Sequence, residues 1–361
     1  MNPPDAMPED PIRPLELATN RVRAATWELG CLGHTPRRRR EGMIDDPVLV
    51  NDWHPVATTD QLDAGGPVAA RLLGEDLVLW RSGQTYCAWR DLCVHRGTRL
   101  SLGKVVAGTA LECPYHGWTY GADGRCILMP AHPEQTPPTK ACVDVYRTAV
   151  GHGVVWVSLG GGTLELPTFD LFDQPGHQVI MSGPYRVKAS GPRVVENFLD
   201  VGHFPFVHEG TLGDRARPEI ADYSAEVDAG GVVAKGVKVF QPDPYGTGRG
   251  STVTYTYRVH RPLSASFIKH GELSFGMMLS VTPHDAVDSS AWMWMVMNYE
   301  PASSMIEFQD RIFAQDRPIL ESQRPELLPL DLQAELHLRS DRTAIAYRRW
   351  LREIGVRTGT S

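Results

Sequence analysis

A chain of 361 residues with 42% apolar and 22% charged side chains is long enough for two domains with separate cores. Its net charge of −7 argues against a nucleic-acid partner, although a local basic patch could still dock an acidic redox protein. No apolar run approaches the roughly 18 residues of a membrane helix and no charged-then-apolar leader opens the sequence, so no membrane contact is expected and the cytoplasm is the default location.

Residues 1–46 differ from the rest. "MNPPDAMPEDPIRP" is dense in proline and acids and "TPRRRREG" carries a block of four arginines, a composition that buries little and reads as a disordered extension. No apolar stretch follows the arginines, which disfavours an export signal. Met43 opens "MIDDPVLVNDWHPVA", which reads like a natural beginning, so the preceding segment is taken as optional.

From 47 to 163 short strand patterns are broken by glycine turns, as in "PVAARLLGEDLVLWRSGQTYCAWRD" and "GVVWVSLGGG", which describes a small all-β domain. Six cysteines are too few for a disulfide scaffold. Two of them sit in "CVHRG" and "CPYHG", giving the pairs Cys93/His95 and Cys113/His116 with 17 residues between His95 and Cys113. The other four (Cys31, Cys87, Cys126 and Cys142) read as ordinary, mostly buried thiols. Two thiolates and two imidazoles hold either zinc or a [2Fe–2S] cluster of the Rieske type. A zinc finger groups its cysteines apart from its histidines, whereas here each pair is mixed. In a Rieske centre one iron takes both cysteines and the other both histidines, which two facing mixed loops deliver. Gly97 and Gly117 allow the tight turns and would expose backbone N–H groups to the bridging sulfides.

The run "LGGGTLELPTF" marks a boundary, and 164–361 form a second domain. "SGPRVVENFLDVGHF" reads as a helix that Pro205 helps to end. Asn197, Asp200 and His203 then lie three apart on one helical face. His208 can turn back towards His203 after Pro205, and two converging histidines suit iron, zinc or copper. Asp200 is placed to accept from a ligand histidine and fix its tautomer. "STVTYTYRVH" alternates, with Val253, Tyr255, Tyr257 and Val259 on one face, and "AWMWMVMNY" is apolar on both faces of a buried strand. Helices around 302–322 and 341–354 close the chain. A non-haem Fe(II) oxygenase needs two histidines and a carboxylate. In "SSMIEFQDRIFAQDRPILESQ" only Asp316 has apolar residues at all four flanking positions (Ile312, Phe313, Ile319 and Leu320), with Asp310 the runner-up. Pro318 should kink this helix. Methionines of "SFGMMLS" and "WMWMVM" are read as core packing before pocket lining.

The pattern C-x-H-x17-C-x-x-H, then N-x-x-D-x-x-H-x4-H and a late "AQDRPILESQ", resembles the terminal oxygenases of the Rieske non-haem iron family. It looks closest to the branch of vanillate and dicamba O-demethylases and methylxanthine N-demethylases; "ESQRPE" and "AYRRWLREIG" resemble the last most. That resemblance implies an α+β chain: an N-terminal all-β Rieske domain and a C-terminal helix-grip (START-like) domain with a curved antiparallel sheet. Cys93, His95, Cys113 and His116 would carry the cluster, and His203, His208 and Asp316 the mononuclear iron, with Asn197 nearby. A head-to-tail homotrimer would set one subunit's cluster beside its neighbour's iron, with Asp200 bridging His116 to an iron ligand of the next chain. NAD(P)H-derived electrons would arrive through a separate flavin/iron–sulfur reductase or ferredoxin, since no flavin or nicotinamide fingerprint occurs here. The expected reaction is O2-dependent O- or N-demethylation of a small, mostly apolar aromatic or heteroaromatic compound. Plain C–H hydroxylation by the same site is the alternative, and a Rieske electron carrier without catalysis a weaker one.

Overall fold

The computed structural model describes residues 44–162, 165–244, 248–271, 273–299 and 304–361, together with the two-residue strand β1 (Arg23–Ala24). The expected disorder of 1–46 therefore falls mostly outside the described residues, as does Cys31. Its last residues are not disordered. The fully buried Asp46 caps α1 (Pro47–Val50) through the Val48 and Leu49 amides, and its other oxygen accepts from the Arg357 and Thr358 amides at 2.7 and 2.9 Å. Four amide donors on one carboxylate fasten this segment to the end of the chain.

β2 (His54–Thr58) leads through α2 (Thr59–Asp63) to β3 (Val68–Leu72), β4 (Glu75–Ser82) and β5 (Thr85–Arg90). The β3–β4 hairpin turns on Leu73 and Gly74, both at positive φ, as a two-residue hairpin matched to strand twist requires. A small antiparallel sheet follows: β6 (Lys104–Val106), β7 (Ala110–Glu112), β8 (Thr119–Gly121) and β9 (Cys126–Leu128), in sequential order. β10 (Val145–Gly151) and β11 (Val154–Ser158) complete the first large sheet, ordered β2-β11-β10-β5-β4-β3 with β1 on β10. Cys87 and Cys126 are buried free thiols as expected; Cys142, read as a thiol, is instead disulfide-bonded.

The second large sheet is antiparallel throughout. It comprises β12 (Gln178–Val187), β13 (Ser224–Asp228), β14 (Gly231–Gln241), β15 (Ser251–Arg261), β16 (Ser264–His270), β17 (Phe275–Asp285) and β18 (Asp288–Met297), in the order β12-β18-β17-β16-β15-β14-β13. Alternation on β15 is as read: Val253, Tyr255, Tyr257 and Val259 are buried on one face, and β18 is buried along its whole length. Register sorts "WMWMVM" in two. Met295, Met277, Phe267 and Tyr257 are successive cross-strand partners on the inner face, while Trp294 and Met278 pair on the outer one.

The outer face meets the first sheet, where Trp156 and Trp294 stack at 5.8 Å and the Trp294 indole N–H donates to the His152 carbonyl at 3.0 Å. The inner face is covered by α3 (Gly191–Leu199), which packs on β16–β18, α5 (Met305–Ser322) on β12, and α6 (Arg342–Ile354) on β13 and β14. One correction affects the site. α3 stops at Leu199, Asp200 is already extended (ψ 132°), and Pro205 opens a separate four-residue helix, α4 (Phe204–Val207), instead of ending the first. A proline in the first turn loses no helical hydrogen bond, so it favours starting a helix there.

Candidate metal centres

The first centre rests on two matching loops, one after β5 and one between β7 and β8. In each the cysteine carbonyl accepts from the glycine four residues on: Gly97 N–H to Cys93 at 2.9 Å, and Gly117 N–H to Cys113 at 3.1 Å. Both glycines have positive φ, +75° and +67°. Their N–H groups thus close the two turns. Each cysteine N–H in turn donates across the loop, to Thr98 and Trp118 carbonyls at 2.8 Å.

Cys93 and Cys113 are both buried and in contact with each other, yet neither is disulfide-bonded. Burial pushes the Cys113 thiol up. Tyr120 holds its hydroxyl 3.1 Å from the Cys93 sulfur. His95 and His116 lie outward of the thiols with ring centroids 4.6 Å apart, and Trp118 stacks parallel on His95 at 4.4 Å. The His95 Nδ1 atom is buried with no hydrogen-bond partner. Two inward thiols, two outward imidazoles and an orphaned ring nitrogen fit a [2Fe–2S] group with its histidine end at the surface.

The second centre brings together His203, His208 and Asp316, whose ligand atoms all lie within 4.8 Å of one another. α4 sets the spacing: His203 immediately precedes it, His208 immediately follows it, and the His208 N–H donates to the Phe204 carbonyl at 3.1 Å. The convergence read from Pro205 is found, though by a new helix and not by a break. The face expected for Asn197, Asp200 and His203 does not form, because only Asn197 is helical. The Asn197 carbonyl accepts from the Asp200 N–H and ends α3.

His203 Nδ1 donates to Asp200 Oδ2 at 2.8 Å, and His208 Nδ1 to Gln315 Oε1 at 2.8 Å. With both Nδ1 protons so placed, each Nε2 carries a lone pair towards Asp316 Oδ1, at 3.5 Å and 3.1 Å. That oxygen is buried without a hydrogen bond of good geometry. Three lone-pair atoms converging in a buried place repel unless a cation sits between them, so the donor set fits a divalent metal held by two histidines and a carboxylate. Burial lowers the His208 pKa, but the Asp316 carboxylate and Gln315 more than offset it, so it lies above the usual imidazole value. Burial likewise raises the Asp200 pKa, and the His203 hydrogen bond with the Gly202 and His203 amides outweighs it, leaving a carboxylate below its usual range.

Asp316 lies on the buried stripe of α5 with Ile312, Phe313 and Leu320, although Ile319 faces solvent. The helix continues past Pro318 to Ser322. Asp310 is exposed and accepts from the Tyr185 hydroxyl at 2.6 Å, away from the triad. Gln315 was missed, because a polar residue off the apolar stripe carries no burial signal. The clue was chemical: each ligand imidazole needs an acceptor for its second nitrogen.

Comparison with known proteins bears on both centres. Residues 52–147 match the Rieske [2Fe-2S] domain and residues 187–357 the vanillate O-demethylase oxygenase C-terminal domain. Methylxanthine N1-demethylase NdmA of Pseudomonas putida is 33% identical over 317 residues, covering 84% of this chain and 88% of that protein. Methylxanthine N3-demethylase NdmB of the same organism is 30% identical, covering 86% and 91%. The solved structure of NdmA from strain CBB5 superposes with a TM-score of 0.74 at 32% identity, over 85% of this chain and 91% of that one. A dicamba monooxygenase structure with non-heme iron shares the fold at 19% identity and a TM-score of 0.65, over 85% of this chain and 97% of that one. Oxidoreductase NdmD of P. putida is 42% identical over 113 residues, which is 31% of this chain and 19% of that protein.

Proposed function

The chain belongs to the Rieske non-haem iron oxygenases, as a terminal oxygenase component, and from that premise we propose that it removes methyl groups from oxygen or nitrogen of a small aromatic or heteroaromatic compound. The observation that carries this reading is the buried His203–His208–Asp316 triad with its orphaned carboxylate oxygen, in a chain similar over most of its length to N-demethylases. Cys93, Cys113, His95 and His116 hold the [2Fe–2S] cluster, and His203, His208 and Asp316 the mononuclear iron. When bound, the two groups supply single electrons and O2-dependent hydroxylation of a C–H bond.

The residues around them do the rest. Asp200 and Gln315 hold the Nδ1 protons of His203 and His208, keeping each Nε2 free as a donor. Hydroxylation of an O- or N-methyl group leaves a hemiacetal or hemiaminal, which collapses to formaldehyde and the demethylated product.

Electrons come from a separate NAD(P)H-linked reductase in the cytoplasm. Support for a separate donor is the likeness to NdmD, and among the described residues no helix is long and apolar enough to cross a membrane. The assembly is a head-to-tail trimer in which Asp200 links His203 to His116 of the next subunit. Large apolar side chains exposed beside both centres support it: Val94 and Tyr115 flank the outer histidines, and Phe206 sits between His203 and His208. A ring closed by one repeated contact covers both patches at once. The test is His203→Ala, assayed with reductase for formaldehyde and O2 uptake. Product formation should vanish while the cluster spectrum stays intact; surviving turnover would remove the triad from the mechanism.

A further inference from the structure

Two buried arginines and two carboxylates meet where α3, α6 and the segment after α5 come together. Arg348 of α6 holds Glu196 of α3 by two parallel bonds, Nε to Oε1 at 2.6 Å and Nη2 to Oε2 at 2.7 Å. Its Nη2 also donates to Glu335 Oε2 at 2.6 Å, and its Nη1 to the Pro329 carbonyl at 3.2 Å. Arg193 of α3 donates from Nη2 to Glu335 Oε1 at 2.7 Å and to the Pro325 carbonyl at 3.0 Å, and its Nη1 lies 3.7 Å from Glu196 Oε2. Both arginines are 3% exposed. Burial raises the Glu335 pKa, and the two guanidiniums outweigh it, so the carboxylate lies below its usual range. Four buried charges often stabilise a fold no more than apolar packing of the same volume. What they supply is direction. Val194, Val195 and Leu199 bury the apolar side of α3, and apolar burial does not fix a helix's rotation about its axis. A two-point guanidinium–carboxylate pair does.

We propose that Arg348 and Glu335 are positioning residues for the iron ligand His203, acting through Glu196 and the end of α3. Asp200 follows Glu196 by about one helical turn, and its carboxylate holds both the backbone N–H and the ring Nδ1 of His203. A rotation of α3 about its axis therefore displaces Asp200 and with it the His203 ring. The anchor is the segment that leaves α5, the helix bearing Gln315 and Asp316, held through Glu335 and the Pro325 and Pro329 carbonyls. The quartet thus ties the element that places one histidine to the element that supplies the carboxylate. This inference rests on the triad as an iron site and not on demethylation, so its test contains no substrate.

Chelator competition for Fe(II) in the holoprotein, with the melting temperature and the cluster's visible spectrum recorded alongside, compares wild type with Glu335→Gln, Arg348→Lys, Tyr347→Phe and His203→Ala. Glu335→Gln keeps the shape of the most exposed corner of the quartet and removes its charge. Arg348→Lys keeps the charge and loses the two-point hold on Glu196. Each should weaken Fe(II) binding about 2- to 30-fold, the usual span for a change that acts through intervening contacts, with the cluster spectrum unchanged. Either variant suffices if the other does not fold. Tyr347→Phe controls for stability alone: it removes the hydroxyl that donates to the Pro262 carbonyl at 2.7 Å, next to Arg348 on α6 but outside the quartet. It should lower the melting temperature and leave Fe(II) affinity unchanged. Unaltered Fe(II) affinity in Glu335→Gln and Arg348→Lys, whatever their melting temperatures, would overturn the proposal and leave the quartet as a clamp on the fold. Full affinity in Arg348→Lys alone would also overturn it, because charge balance without direction would then suffice. An equal loss in Tyr347→Phe would do the same, by assigning the effect to a loosened α6. Fe(II) retained by His203→Ala would reject the iron site itself and the positioning with it.

Discussion

Asp200 Oδ2 accepts twice from His203, from its backbone N–H at 3.1 Å and from its ring Nδ1 at 2.8 Å. Asp200 Oδ1 takes the Gly202 N–H at 2.8 Å. The carboxylate therefore holds the chain between α3 and α4 and the tautomer of a triad histidine at once. A change that keeps the shape but not the charge separates the two tasks. Asp200→Asn should retain the fold, cluster and iron yet lose at least about 10- to 100-fold in turnover, the usual cost of losing such a support. Metal analysis beside steady-state rates decides it.

Gln315 supports His208 as Asp200 supports His203, but from the opposite element, α5. Gln315→Leu leaves that Nδ1 proton without its acceptor and the ring free to turn. Iron affinity should fall about 10- to 100-fold while the cluster's visible spectrum is unchanged. Competition with a chelator gives the number.

Asp316 and Asp310 stand on the same helix in opposite surroundings, one buried in the triad and one exposed against Tyr185. Asp316→Ala should abolish both iron retention and product. Asp310→Ala should leave iron bound and cost under about 1 kcal/mol of stability, as surface hydrogen bonds do. Equal loss of iron in both variants would reject the assignment.

How much of this was legible in the sequence depended on the kind of signal. The two matching Cys/His loops were legible because mixed pairs with terminal glycines have few other uses. Asp316 was legible because an acid inside an apolar helical stripe contradicts its own solvation. β15 and β18 showed their faces because strand register is local. What escaped was set by tertiary contacts: α3 ending at Leu199, α4 beginning at Pro205, and Gln315 reaching His208 across the fold.

Two histidines outside both centres make the fold acid-sensitive. Burial holds His152, stacked on Phe172, and His260, bonded to Ser266, each at about 4, against a usual value of 6.5. The folded chain keeps both neutral where the unfolded chain would protonate them. Their contribution is therefore intact above about pH 6.5 and is lost as pH falls towards 4, by up to about 3 kcal/mol each. His260→Gln can still reach Ser266 but cannot titrate. Its melting temperature should fall less between pH 7 and pH 5 than that of wild type.

The proposed trimer makes a quantitative prediction. If each active site takes its cluster from one subunit and its iron from the next, Cys113→Ser and His203→Ala subunits are each inactive alone. Co-assembled in equal amounts they should recover about one quarter of wild-type activity, the fraction of interfaces that join a good cluster to a good iron. No recovery would mean that electrons do not cross between subunits.

Oxidative demethylation is tested most directly by the stoichiometry of formaldehyde to O2 with reductase, NADH and a panel of O- and N-methylated aromatic and heteroaromatic compounds. One formaldehyde should form for each O2 consumed on the accepted substrate, with the demethylated ring compound recovered in equal amount. O2 uptake that yields a hydroxylated product with its methyl group retained, and no formaldehyde, would contradict it.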